Sequence, residues 1–175
     1  MKYFAYGSNM LTERLKARVS SAKNPSPFAL RKYRLRFHKK SSDCSGKCNI
    51  VATAFDSDVV HGVLFDIDDA QISLLDKAEG VGHGYLRNEI SVSIDGIMTK
   101  VSVYIAEKDA IDDALIPYRW YYELVLSGAE QHSLPNDYVA GLRAIPFTND
   151  PKSDRKSRLE ALDALRKYAE SKKIV

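Results

Sequence analysis

The dipeptide Asp95-Gly96 lies between two runs of strand-like residues, 86–94 and 98–105. A two-residue Asp-Gly loop supplies the left-handed positions of a type I′ turn, whose twist matches that of paired strands. This stretch commits the chain to an antiparallel hairpin, and the other elements must be arranged around it. Residues 2–6 (KYFAY) read as a short aromatic strand broken by Gly7. In 30–38 (LRKYRLRFH), Tyr33, Leu35 and Phe37 fall on one face and Arg34, Arg36 and His38 on the other. That alternation predicts a half-buried strand with a basic outer face. Residues 49–55 and 59–65 read as two further strands around the turn DSD, and 23–29 (KNPSPFA), with two prolines, as a loop.

Helical spacing takes over between these runs. Leu11, Leu15 and Arg18 share one face of 11–18, and Ser8 or Asn9 can cap that helix. Residues 68–78 place Ile72 and Leu75 inward, with Glu79-Gly80 ending the helix before the Gly-rich loop VGHG. Residues 117–128 and 134–145 read as helices, the second begun by Pro135, where the missing N–H does no harm. In 157–171, Leu159, Leu162, Leu165 and Tyr168 form one stripe of an amphipathic helix. The expected fold is α+β, a mixed, curved or barrel-like sheet with helices around it. The domain expectation is one unit over 1–150, with a helix in 151–175 packed on it.

Composition excludes several classes. Ten Tyr and six Phe among 175 residues supply a core that a disordered chain lacks. No apolar run approaches the ~18 residues that cross a bilayer. The start, MKYFAYGSNM, lacks the apolar centre of a secretion signal, so a cytoplasmic location is expected. The net charge of +3 is too small to argue for nucleic acid. Six basic side chains crowd 31–40, but no aromatic residue shares their face, so they read as surface. Cys44 and Cys48 lie four apart with no second Cys/His pair, and read as free thiols on a Gly- and Ser-rich loop rather than a metal site. No patch marks an interface, which leaves a homodimer open.

Few residues offer chemistry. The strand-to-helix turn Tyr6-Gly7-Ser8-Asn9 gathers backbone N–H groups able to hold a carboxylate, a phosphate or an oxyanion. Glu79, ending its helix before Gly80, Gly82 and Gly84, would act as a base if apolar walls surrounded it. No G-x-S-x-G elbow accompanies Ser8, and the four His are scattered. Tyr118, Tyr121 and Tyr122 share one side of a helix with Trp120 nearby, the pattern of a core.

Three segments in order give these residues a context: YFAYGSNMLTERL, LLDKAEGVGHGY and YELVLSGAEQHSLPNDYVAGLRAI. From about residue 3 to about residue 150 the chain resembles the γ-glutamylcyclotransferase family, relatives of the AIG2-like proteins. The resemblance implies substrate binding by Tyr3, Phe4, Ala5, Tyr6, Gly7 and Ser8, with Asn9 supporting the turn. It implies Glu79 as catalytic acid/base and Tyr121 near the substrate. Tyr85 aligns with a further pocket tyrosine if the preceding loop is one residue short. The implied reaction cyclises a γ-glutamyl group to 5-oxoproline and releases an amino acid, using neither metal nor cofactor. The partner is then a small γ-glutamyl compound. The same fold would serve a γ-glutamylamine cyclotransferase or an enzyme removing γ-glutamyl groups in biosynthesis. A non-catalytic binding module is the alternative of another class.

Overall fold

A computed structural model describes residues 1–173. Seven strands and five α-helices follow one another as β1 (Lys2–Ala5), α1 (Thr12–Arg18), β2 (Lys23–Arg31), β3 (Tyr33–Lys40), β4 (Gly46–Ala52), β5 (Val59–Asp66), α2 (Ile72–Glu79), β6 (Tyr85–Ile94), β7 (Ile97–Ala106), α3 (Arg119–Gln131), α4 (Asn136–Arg143) and α5 (Lys156–Ser171). Five strands form a mixed sheet in the order β2-β5-β1-β7-β6. Only the β1–β7 pair is parallel. The expected hairpin is present: Ile94 pairs with Ile97, and Asp95 and Gly96 take φ of 50° and 83°. β3 and β4 form a separate antiparallel ribbon that packs against β5 and β7. The Asn49 side chain ties the ribbon to the sheet by accepting from the Ala106 N–H at 2.8 Å.

Three departures from the sequence reading have local causes. Residues 23–29 are strand, because β2 lies at the sheet edge, where a proline forfeits no ladder bond, and a bulge between Lys23 and Ser26 absorbs the irregularity. The expected 30–38 strand is split at Lys32, whose φ of 65° turns the chain from the sheet into the ribbon. Within β3 the register shifts between Arg36 and Lys39, so the alternation fails there. His38 is buried rather than displayed on the basic outer face, and Lys39, expected at the surface among the basic residues of 31–40, is buried too. His38 is held between Asp113 and Asn49 at 2.7 and 3.1 Å.

The C-terminal helix also turns differently from its leucine stripe. Ala161, Ala164 and Tyr168 are buried, whereas Leu159 and Leu162 are 52% and 42% exposed. Small alanines let α5 lie close against α1 and α3, and Leu165 packs at the margin of that contact. Of the segment 151–175, residues 174 and 175 lie outside the described residues. Among the described residues, no helix is long and apolar enough to cross a membrane.

Candidate active site

Strand β1 delivers the chain at Gly7 into a 3-10 turn, Ser8–Met10, before α1 starts at Thr12. The turn passes so close to β4 that a Cβ on Gly7 would stand 3.1 Å from the Cys48 Cβ and 3.2 Å from the Tyr121 hydroxyl. Neither Ser8 nor Asn9 caps α1. Asn9 is committed elsewhere, its amide donating to the Tyr3 hydroxyl at 3.0 Å and to Glu79 Oε1 at 2.8 Å. Its carbonyl accepts from Arg18 at 2.9 Å, and the same Arg18 nitrogen pairs with Glu79 Oε1 at 2.5 Å. The turn, the end of α1 and the end of α2 thus meet at one carboxylate. Gly80, with φ of 71°, closes α2 immediately beyond it.

This corrects the expected setting of Glu79. Its oxygen faces a guanidinium and an amide rather than apolar walls. The apolar part of the slot comes from aromatic rings opposite. Tyr3, Tyr6, Tyr85, Tyr104 and Tyr121 all line it, together with Cys48. Their hydroxyls are anchored: Tyr6 donates to the Tyr104 carbonyl, Tyr85 to the Cys48 carbonyl, and Tyr104 to Asp76 at 2.8 Å. Tyr121 accepts from the Cys48 N–H at 3.0 Å. Burial pushes these phenols above their ordinary range, and nearby Glu79 adds to the shift. Burial likewise pushes the Cys48 thiol up to about 12. The slot therefore has protonated walls, with Glu79 as its single carboxylate among the lining residues.

Most of the expected site residues converge here. Tyr3, Tyr6, Gly7, Ser8, Asn9, Glu79 and Tyr121 line the slot, and Tyr85 joins them. Phe4 and Ala5 do not. Phe4 packs edge-on against Phe28 at 5.9 Å, and Ala5 is wholly buried. Cys48 is a strand residue rather than a loop thiol. Arg18 was visible only as a basic residue in register with Leu11 and Leu15. A charge on an inward stripe is the one signal that could have marked it.

Beyond Ser8, Glu79, Tyr85 and Tyr121 the slot opens into a cavity of about 530 Å³. Its far walls come from the 39–48 segment, Trp120 and the start of α5. Lys47 pairs with Asp43 at 2.7 Å and lies 4.5 Å from the centre of the Trp120 ring. Trp120 and Arg155 are fixed by one buried carboxylate, Asp150, which accepts from both at 3.0 and 2.7 Å. Among the described residues, no cluster of three or more His, Cys, Asp or Glu is placed to hold a metal ion.

Comparison with known proteins supplies the context for this geometry. The AIG2-like family model matches residues 59–142. A bovine (Bos taurus) protein named gamma-glutamylcyclotransferase is 33% identical over 164 residues, which is 90% of this chain and 85% of the relative. A mouse (Mus musculus) protein of the same name is 32% identical over 175 residues, 97% of this chain and 89% of the relative. A solved structure named gamma-glutamyl cyclotransferase superposes with a TM-score of 0.78 at 27% identity, covering 95% of this chain and 98% of that one. With relatives above 30% identity spanning most of both chains, this protein belongs to the γ-glutamylcyclotransferase family.

Proposed function

We propose that this protein is a γ-glutamylcyclotransferase. It converts a γ-glutamyl amino acid or peptide to 5-oxoproline and the free amino acid. The observation that carries the reading is the single carboxylate, Glu79, in a slot bordered by protonated phenols and by the Gly7-Ser8-Asn9 turn. The reaction is internal. The α-nitrogen of the glutamyl group bonds to its own side-chain carbonyl carbon, and the bond from that carbon to the leaving nitrogen breaks. No water is consumed. Two protons must pass from the attacking nitrogen to the departing one, and no external nucleophile is needed.

Glu79 serves as the shuttle for those protons, first as base and then as acid. Arg18 and Asn9 hold its Oε1 and leave Oε2 for the substrate nitrogen. The first N–H groups of the Ser8–Met10 turn have no acceptor within the turn and suit the oxyanion that develops on the carbonyl oxygen. Tyrosines fixed by backbone bonds keep the glutamyl chain bent into its attacking shape, which removes much of the entropic barrier.

The test is 5-oxoproline release from a γ-glutamyl dipeptide by the wild type and by Glu79→Gln. General acid–base catalysis is worth about 10²–10⁴-fold, and the variant should lose turnover on that scale while still folding and melting cooperatively. A fully active variant removes Glu79 from the mechanism. An inactive wild type removes the reaction.

A further inference from the structure

The larger cavity has a charge pattern that the cyclisation itself does not use. Glu79 is consumed by the proton shuttle, Lys47 faces Asp43, Arg155 faces Asp150 and Arg14 faces Glu160 at 3.5 Å. Lys39 is different. Its side chain is only 8% exposed, and among the described residues no carboxylate lies within 4.0 Å of its ammonium. The ammonium stands 4.7 Å from the centre of the Tyr85 ring, at the junction where slot and cavity meet. Gly84 leaves room for it, since a Cβ there would come within 3.0 Å of the Lys39 nitrogen.

A largely buried ammonium that lines the cavity without a direct ion pair is free to take an anionic group of a ligand. Lys39 lies just past the register shift of β3 and pairs with Lys47 of β4, so its place is built into the ribbon. On the cyclotransferase reading, on which this inference rests, the glutamyl group fills the slot and the leaving group enters the cavity. A released amino acid carries a carboxylate two bonds from its nitrogen. A released simple amine carries none.

We propose that Lys39 is the specificity residue for the leaving group, receiving the carboxylate of the amino acid to be released. The chain then acts on γ-glutamyl amino acids in preference to γ-glutamyl derivatives of uncharged amines. Burial lowers the pKa of Lys39, and the fields of Glu79, Asp43 and Glu107, none within ion-pair distance, oppose that shift. This is consistent with an ammonium that gains from an anion brought into direct contact.

The experiment compares kcat/KM for γ-glutamyl-alanine with that for γ-glutamyl-alaninamide, which lacks only the negative charge. Wild type should favour the acid by tenfold or more. Lys39→Gln should collapse that preference at least tenfold through KM for the acid, and Lys39→Arg should restore most of it. Because both compounds meet the same Glu79, a general disturbance of the slot cancels in the ratio. A ratio within twofold of wild type in Lys39→Gln overturns the assignment while leaving the cyclotransferase reading intact. A wild type that releases 5-oxoproline from neither compound overturns both.

Discussion

Two cysteines four residues apart lie in two different chemical worlds. Cys48 is buried on β4, with its backbone clamped between the Tyr121 and Tyr85 hydroxyls at the closed end of the site. Cys44 is exposed on the loop before it. The contrast separates two halves of one site. The inner slot is built from strand, turn and helix residues, with Tyr6, Tyr85 and Tyr121 bonded to backbone and Glu79 held by Asn9 and Arg18. The outer cavity is built from loop and helix-terminal side chains paired through charge. A rigid inner half suits a reaction that depends on holding one short chain bent. An outer half made of ion pairs can vary its leaving group without disturbing that geometry. On the proposed reading the labour is divided, with chemistry inside and selection outside.

The sharpest way to break this division is to crowd the inner half. In Gly7→Ala the new Cβ would sit 3.1 Å from Cys48 and 3.2 Å from the Tyr121 oxygen. Overpacking of that kind costs about 1–3 kcal/mol, and displacement of a positioned substrate by an ångström costs about 10²-fold in rate. The expected outcome is a fall of roughly 10–100-fold in kcat/KM for every γ-glutamyl compound alike, with a modest drop in Tm. Loss confined to one leaving group would mean that the turn selects rather than catalyses, and the two halves would not be distinct.

A smaller effect is expected from the outer half. Burial pushes the Asp150 carboxyl up, but bonds from Arg155, the Lys152 N–H and Trp120 outweigh it and hold the group at about 2. Its folded-state pKa lies below the ordinary ~3.9 of an unfolded Asp. The carboxylate therefore contributes stability above about pH 4 and loses it as pH falls toward 2. Asp150→Asn should lower Tm at pH 7 by roughly 3–10 °C, since charge-assisted bonds are worth about 1.5–3 kcal/mol. The gap between wild type and variant should close on acidification below pH 4. A gap independent of pH would show that Asp150 acts through shape rather than charge.

The same division explains what could be read from the chain beforehand. The inner half was legible because YFAYGSN and the Glu79-Gly80 helix end are contiguous segments that the family resemblance can match, although local rules alone leave their roles open. Phe4 and Ala5 belong to that contiguous run but are packed in the core, Phe4 against Phe28. The outer half depends on irregularities that periodicity cannot register. The register shift in β3 buries His38 against the pattern of Arg34 and Arg36, and Lys39 is buried beside it. Edge placement lets β2 accept its prolines. On α5, close packing chose Ala161 and Ala164 over the leucines. That choice carries Arg155 and Glu160 to the cavity wall.

The gentlest probe returns to the cysteines. A thiol pushed up to about 12 is thiolate in only about one part in 10⁴ at pH 8, and thiolate is the reactive form. Cys48 is also walled in by Tyr85, Tyr121 and Gly7. Iodoacetamide at pH 8 should therefore add one adduct, on Cys44, as read by mass spectrometry of the intact chain and of its peptides. Cys44 lines neither cavity, so the singly labelled protein should keep its kcat/KM within twofold. Rapid labelling of Cys48 under native conditions would mean that the slot opens on the timescale of the reagent. The rigid inner half would then be a mobile one, and the preorganisation argued for the bent glutamyl chain would have to come from substrate binding instead.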